Sequence, residues 1–179
     1  LPLSSYLAYL SMQPSLFPDH AVKMRFLENH DNPRAASIIK NEERLRNWTL
    51  FYMLLPGASL VYMGQEYGIS RYPNLFEKDP VPWNQGKKEF HDFFIKALNT
   101  TRTIKTRAKK IDIQQLADGV VILNWKSGSK SYTALCNLEN RYGEIKLNHS
   151  IKGRDLLSEK DITLHGYVSI PELPLLIEH

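Results

Sequence analysis

Two periodicities alternate along the first half of the chain. Ala21–Glu28 reads AVKMRFLE; Val22, Met24 and Phe26 share one face at the period of a strand, and Leu27 adds to the other. Leu45, Trp48, Phe51, Tyr52 and Leu55 recur at helical spacing, with Asn41 as the N-cap and Glu42 and Glu43 in the first turn, where a helix dipole favours them. Pro56-Gly57 stops that helix, and Ser59–Met63 predicts a short buried strand ending at Gly64-Gln65-Glu66. A loop rich in proline and aromatic residues runs to about residue 85. Phe90, Phe93, Phe94, Ala97, Leu98, Thr101 and Ile104 then mark a second amphipathic helix. Upstream, residues 3–12 read as the end of a helix broken by Pro14, Pro18 and Asp19. Strand, helix, strand, helix is the pattern of a parallel sheet.

The pattern changes near residue 110. Val121, Leu123 and Trp125 alternate, as do Tyr132, Ala134, Cys136 and Leu138, then Ile145 and Leu147, then Val168 and Ile170. Turns are signalled at Asp118-Gly119, Ser127-Gly128, Asn140–Gly143 and His165-Gly166. Short strands at this spacing predict an antiparallel sandwich. The expected division is therefore residues 1–109 as an α/β unit and residues 110–179 as an all-β unit.

Composition narrows the classes. The 179 residues are 42% hydrophobic and 11% aromatic, with a formal charge of +4, which excludes disordered, collagenous and coiled-coil chains. The basic excess gathers at Lys96, Arg102, Lys105, Arg107, Lys109 and Lys110; without a nucleic-acid motif it reads as a solvated helix face, not a nucleic-acid site. The uncharged stretch between Arg46 and Glu66 is long enough to cross a bilayer, but Pro56-Gly57 splits it, so no membrane role is expected. Cys136 is the one cysteine, sits among apolar residues and reads as core; the lack of a possible intrachain disulfide leans towards a cytoplasmic location. The chain opens on Leu1, without a signal peptide, and is expected to be part of something longer. The terminal Glu178-His179 resembles the start of an affinity tag. The triplets at Asn47, Asn99 and Asn148 match glycosylation acceptors, but the first two fall within predicted helices.

The chemistry concentrates at Phe26-Leu27-Glu28-Asn29-His30-Asp31-Asn32-Pro33-Arg34, where a strand ends. In a βα barrel that edge is the active face. Asn29, His30, Asp31 and Arg34 offer an amide, an imidazole, a carboxylate and a guanidinium, a set suited to vicinal sugar hydroxyls and to stabilising positive charge. The same residue types also make ordinary turns and caps. His20, His91, His149 and His165 show no metal-ligand spacing.

FLENHDNPR followed by PGASLVYMGQEYG resembles the α-amylase superfamily, glycoside hydrolase family 13, in which Asn-His-Asp ends the seventh barrel strand and Gly-Gln-Glu the eighth. The resemblance implies an α/β plus all-β fold: the last two βα units of a TIM barrel, then a C-terminal antiparallel β-sandwich. It implies that Asp31 is the catalytic carboxylate that binds sugar hydroxyls and stabilises the transition state. His30 would bond the same sugar, Asn29 would shape the turn, and Arg34 would also bind substrate. Gln65 and Glu66 would be structural. Tyr62, Tyr67, Tyr72 and Trp83 are candidates for a sugar cleft. The implied partner is an α-linked oligo- or polysaccharide, with a retaining mechanism and no organic cofactor; some members bind calcium, but no such site is identified here.

Retaining hydrolysis needs a nucleophile and a general acid about 5–5.5 Å apart. In the resembled family these belong to the fourth and fifth strands, and its Gly-x-Arg-x-Asp motif does not occur in this chain. A barrel takes about 250 residues. The isolated chain is therefore expected to be inactive, and to self-associate through uncovered apolar faces. A non-catalytic relative, transporter-associated or carbohydrate-binding, is the alternative.

Overall fold

The computed structural model describes residues 2–18, 20–108 and 110–179. Leu1, Asp19 and Lys109 lie outside the described residues, so the helix break expected at Asp19 and the basic position at Lys109 have no counterpart here. Helix α1 is Leu3–Leu16 and includes Pro14, which was expected to end it. Proline removes one N–H and disturbs the turn before it, and so close to the C-terminus the helix still completes two more residues.

The parallel pair is present but short. Strand β1, Met24–Arg25, pairs with β2, Ala58–Ser59, in the register Met24↔Ala58 and Arg25↔Ser59. The second strand thus begins at Ala58; Leu60 N still donates to Arg25 O at 2.8 Å, and residues 61–63 lie outside the ladder. Gly57 makes the approach possible: its φ is 115°, and a Cβ there would lie 2.1 Å from the Lys23 carbonyl oxygen. Val22 and Met24 are 75% and 59% exposed, whereas Arg25 is buried, its guanidinium donating to Gln13 Oε1 at 2.5 Å and to Pro56 O at 2.8 Å. The helical layer covers the Arg25 side of β1 and leaves the more apolar side open.

A one-turn helix, α2 (Ala35–Ile38), occupies what reads in the sequence as loop. Helix α3, Glu42–Leu54, starts as expected: Asn41 Oδ1 accepts from Arg44 N at 2.7 Å. Two 3-10 turns, Gln65–Tyr67 and Trp83–Gln85, punctuate the long loop, and α4 spans Lys88–Arg107. Its basic residues are not uniformly solvated. Lys105 Nζ donates to Gly57 O at 3.0 Å and Ser59 Oγ at 2.9 Å, fastening α4 to the turn before β2, and Lys96 pairs with Glu159 at 2.6 Å.

The remaining chain forms β3 (Lys110–Ala117), β4 (Val120–Ser127), β5 (Lys130–Asn137), β6 (Glu144–Lys146), β7 (Ile151–Asp155), β8 (Asp161–Leu164), β9 (Tyr167–Ser169) and β10 (Leu175–Glu178). A six-stranded sheet has the order β3-β4-β5-β10-β7-β8, and β6 pairs with β9 in a second sheet. All pairings in these two sheets are antiparallel.

The large sheet is buried on both faces. Val120, Ile122, Leu135 and Ile177 pack with Ile145 and Leu147 in the sandwich interior. The other alternation, including Val121, Leu123, Trp125, Tyr132, Ala134 and Cys136, joins α1, α3 and α4 in one continuous core. The sequence pattern shows only the second of these alternations, and it does not tell that helices rather than a second sheet cover it.

Polar contacts lock helix to sheet. Leu138 O accepts from Arg44 Nε at 2.7 Å and Trp48 Nε1 at 2.8 Å, and Trp125 Nε1 donates to Leu54 O at 3.1 Å. Asn47, fully buried, donates to Glu172 O at 2.7 Å and accepts from Asn137 N at 2.7 Å. Asn47→Ala strands both backbone groups, so it is expected to destabilise the chain by about 2–3 kcal/mol. Urea unfolding measures this, and a wild-type midpoint would show that the latch carries no energy.

Candidate functional site

The chain leaves β1 through Glu28 and enters a turn built by Asn29. Its Oδ1 accepts from Asp31 N at 3.0 Å and from Asn32 Nδ2 at 2.6 Å, an Asx arrangement that fixes the backbone between them. His30 and Asp31 project outward from this turn, with side chains 65% and 70% exposed and His30 Nε2 3.4 Å from Asp31 Oδ2. The carboxylate is thus presented on a constrained backbone with its oxygens open to a ligand. Asn29, His30 and Asp31 thus share one exposed turn.

Arg34 does not join them. It is 2% exposed, and its guanidinium donates to Glu28 Oε1 at 2.7 Å, Met63 O at 2.9 Å and Arg71 O at 3.2 Å. The guanidinium carbon also lies 4.6 Å from the Tyr62 ring centroid. The substrate contact expected of Arg34 is corrected here: its donors are directed to protein acceptors, and any further covering chain would bury it more deeply.

Glu28 completes the arrangement from beneath. It is 1% exposed, and its second oxygen accepts from Ala35 N at 2.6 Å. Burial pushes its carboxyl above the usual range, against the opposing pull of the Arg34 and Ala35 donors. The sequence alone assigns Glu28 no role. The available signal was an acid and an arginine bracketing a polar turn at the end of an apolar strand.

The segment after β2 supports the same edge. Gln65 is buried, accepts from Tyr62 N at 3.1 Å and donates to Tyr52 Oη at 3.2 Å; Glu66 accepts from Gly64 N at 2.9 Å. Glu66 acts on its own loop, and Gln65 also ties that loop to α3. Of the four aromatic candidates, Tyr62 lies against Arg34 and Tyr67 stacks on His91 with centroids 4.2 Å apart. Trp83 is half-exposed against Tyr67, and Tyr72 donates its hydroxyl to His30 O at 2.7 Å. A cavity lined by Leu10, Gln13, Arg25, Pro56 and Ile113 lies apart from Asp31. Among the described residues, no group of three or more His, Cys, Asp and Glu side chains is arranged to hold a metal ion. No helix among them is long and apolar enough to cross a membrane.

The sequence profile described as alpha amylase, catalytic domain, matches residues 3–130. The chain belongs to the alpha-amylase family. An alpha-amylase of Dictyoglomus thermophilum is 24% identical over 164 residues, 86% of this chain but 29% of that protein. An alpha-amylase from Lactobacillus plantarum superposes with a TM-score of 0.85 at 24% identity, covering 98% of this chain and 42% of that one. A maltogenic alpha-amylase from Thermotoga neapolitana gives a TM-score of 0.88 at 22% identity, covering 100% of this chain and 46% of that one. This chain therefore spans less than half the length of these alpha-amylase relatives. Its fold is the last two βα units of a TIM barrel followed by an antiparallel β-sandwich.

Proposed function

We propose that this chain is the C-terminal part of a glycoside hydrolase that cleaves α-linked glucans with retention, and that Asp31 is its transition-state-stabilising carboxylate. The observation that carries the reading is the Asp31 carboxylate, held open to ligand on the turn fixed by Asn29, within a matched amylase catalytic-domain segment. In retaining hydrolysis a carboxylate nucleophile attacks the anomeric carbon while a general acid protonates the departing glycosidic oxygen. A water activated by that same residue then releases the glycosyl-enzyme. Positive charge grows on the sugar ring in both steps. A fixed carboxylate at the position of Asp31 stabilises it and accepts hydrogen bonds from the ring hydroxyls, with His30 bonding the same sugar.

The nucleophile and general acid belong, on this reading, to chain beyond these 179 residues, and the isolated chain is inactive. The open side of β1, with Val22 and Met24, is then the face that further barrel strands cover. The test is the anomeric configuration of the first product released from maltooligosaccharide by the full-length protein, followed by proton NMR. The α-anomer should appear first and then mutarotate; initial β-anomer or no hydrolysis would reject the reading.

A further inference from the structure

A cavity of about 690 Å³ opens where β1 and β2 begin, at the other end of the parallel pair from the Asp31 turn. Leu10 and Gln13 of α1, Phe17, Arg25 of β1, Pro56 and Ile113 of β3 line it, so it lies between the α/β unit and the large sheet. Its volume is that of an ordinary small-molecule site, and Leu10, Phe17 and Ile113 give it the apolar wall such sites have.

Two polar side chains are buried at this cavity with donors to spare. Arg25 is 9% exposed and Gln13 6%. Arg25 Nε donates to Pro56 O, and Nη2 donates to Gln13 Oε1. Among the described residues, Arg25 Nη1 and Gln13 Nε2 have no acceptor. Neither is sealed off as Thr49 Oγ1 is, so both nitrogens keep open space, and the cavity is the space their side chains line.

Charge points to an acidic occupant. Lys23 Nζ lies 4.3 Å from the Phe17 ring centroid, and Lys105 Nζ holds Gly57 O on the turn that also lines the cavity. Among the described residues, none of Lys23, Arg25 and Lys105 pairs with a carboxylate. Asp112 lines the same cavity, but its Oδ2 accepts from Gln114 on its own strand at 2.6 Å. Burial pushes the Arg25 guanidinium down from its ordinary range. It pushes the Lys105 amine down to about 8, with the Arg25 charge adding to the fall. A bound anion relieves both, because it supplies the counter-charge these buried cations lack.

We propose that this cavity binds a small amphipathic carboxylate. The carboxylate meets Arg25 Nη1 and Gln13 Nε2, and the apolar tail lies along Leu10, Phe17 and Ile113. A charge-assisted bond from a guanidinium to a carboxylate is the strong kind of hydrogen bond, and a water-poor wall strengthens it. The walls come from α1, β1, the turn before β2 and β3, so a ligand here fastens the α/β unit to the large sheet. Binding should therefore appear as added thermal stability. The site stands apart from the activity proposed at Asp31 and does not depend on it.

The experiment is thermal unfolding and calorimetric titration of the full-length protein at pH 7, with hexanoate as the probe and 1-hexanol as its uncharged match. Hexanoate should raise Tm saturably, with half-saturation at about 1 mM, an ordinary affinity for so few heavy atoms. Hexanol should bind about tenfold more weakly, and Arg25→Gln should weaken hexanoate by about the same factor, the scale of one charge-assisted hydrogen bond. Ser11 lines the cavity mouth, is exposed, and bonds only to Ala8 O of its own helix. Ser11→Trp should therefore leave the fold intact and abolish binding of both probes. If Arg25→Gln does not fold, the hexanol comparison and Ser11→Trp still decide. No saturable effect of hexanoate on the wild type overturns the proposal, because further protein then fills the cavity. Equal affinities for hexanol and hexanoate overturn the anion site, as does a folded Arg25→Gln with wild-type affinity. Undiminished binding in Ser11→Trp places the probe elsewhere and overturns it as well.

Discussion

Arg34→Met should destabilise the chain by about 3–5 kcal/mol, the scale for removing one partner of a buried ion pair. The effect comes from what remains. Glu28 would be left 1% exposed with only Ala35 N as donor, and the carbonyls of Met63 and Arg71 would lose the guanidinium between them. The sign of the pH dependence follows. Burial already raises the Glu28 carboxyl, and loss of Arg34 would raise it further, so the folded state would hold its proton more tightly than the unfolded chain. The variant's stability should then be recovered as pH falls towards the unfolded carboxyl range near 4.3, and lost as pH rises through the folded value. The double variant Glu28→Gln with Arg34→Met should recover part of the loss, because no unpaired charge remains. Urea unfolding at several pH values measures all three quantities. A wild-type midpoint for Arg34→Met would show that the pair is not what joins the Asp31 turn to the loop after β2.

Much of the fold was legible because it rests on local periodicity. The Asn41 cap, the apolar stripes of α3 and α4, and the hairpin turns with Gly119 and Gly128 at φ of 74° and 61° follow from residues close in sequence. One apolar alternation of β4, Val121, Leu123 and Trp125, was equally plain, whereas the apolar character of Val120 and Ile122 on its other face went unread. That one faces helices and the other a second sheet depends on tertiary packing, which no strand period encodes. Pro14 inside α1 shows the same limit: a strong local breaker is tolerated near a helix end.

The site divides in the same way. The shared turn of Asn29, His30 and Asp31 was legible because it is built from neighbouring residues just after a strand; the roles proposed for them rest on the reading above. Arg34 was misread because its acceptors at Met63 and Arg71 lie 29 and 37 residues away, and a guanidinium three residues from a carboxylate suggests a ligand before it suggests a brace. The bond from Tyr72 to His30 spans 42 residues and was equally hidden. These long-range contacts distinguish the open carboxylate of Asp31 from the buried one of Glu28. The two lie three residues apart and have opposite surroundings.

That contrast leads to the largest expected effect. Asp31→Asn in the full-length protein should lower kcat on maltoheptaose by about 10³-fold, the upper scale for removing one preorganised electrostatic group at a developing charge. The asparagine keeps the size and one acceptor oxygen and removes the negative charge. KM should therefore change much less than kcat, because the charge acts most strongly where positive charge develops in the transition state. The Asx bonds that shape the turn use Asn29 and the backbone N of Asp31, so the fold should survive the substitution. The decisive measurement is kcat for this variant beside wild type, with unchanged Tm as the control for folding. A loss near 10³-fold at constant Tm is the predicted result; a kcat within a few-fold of wild type would contradict the assignment of Asp31 as the catalytic carboxylate of this chain.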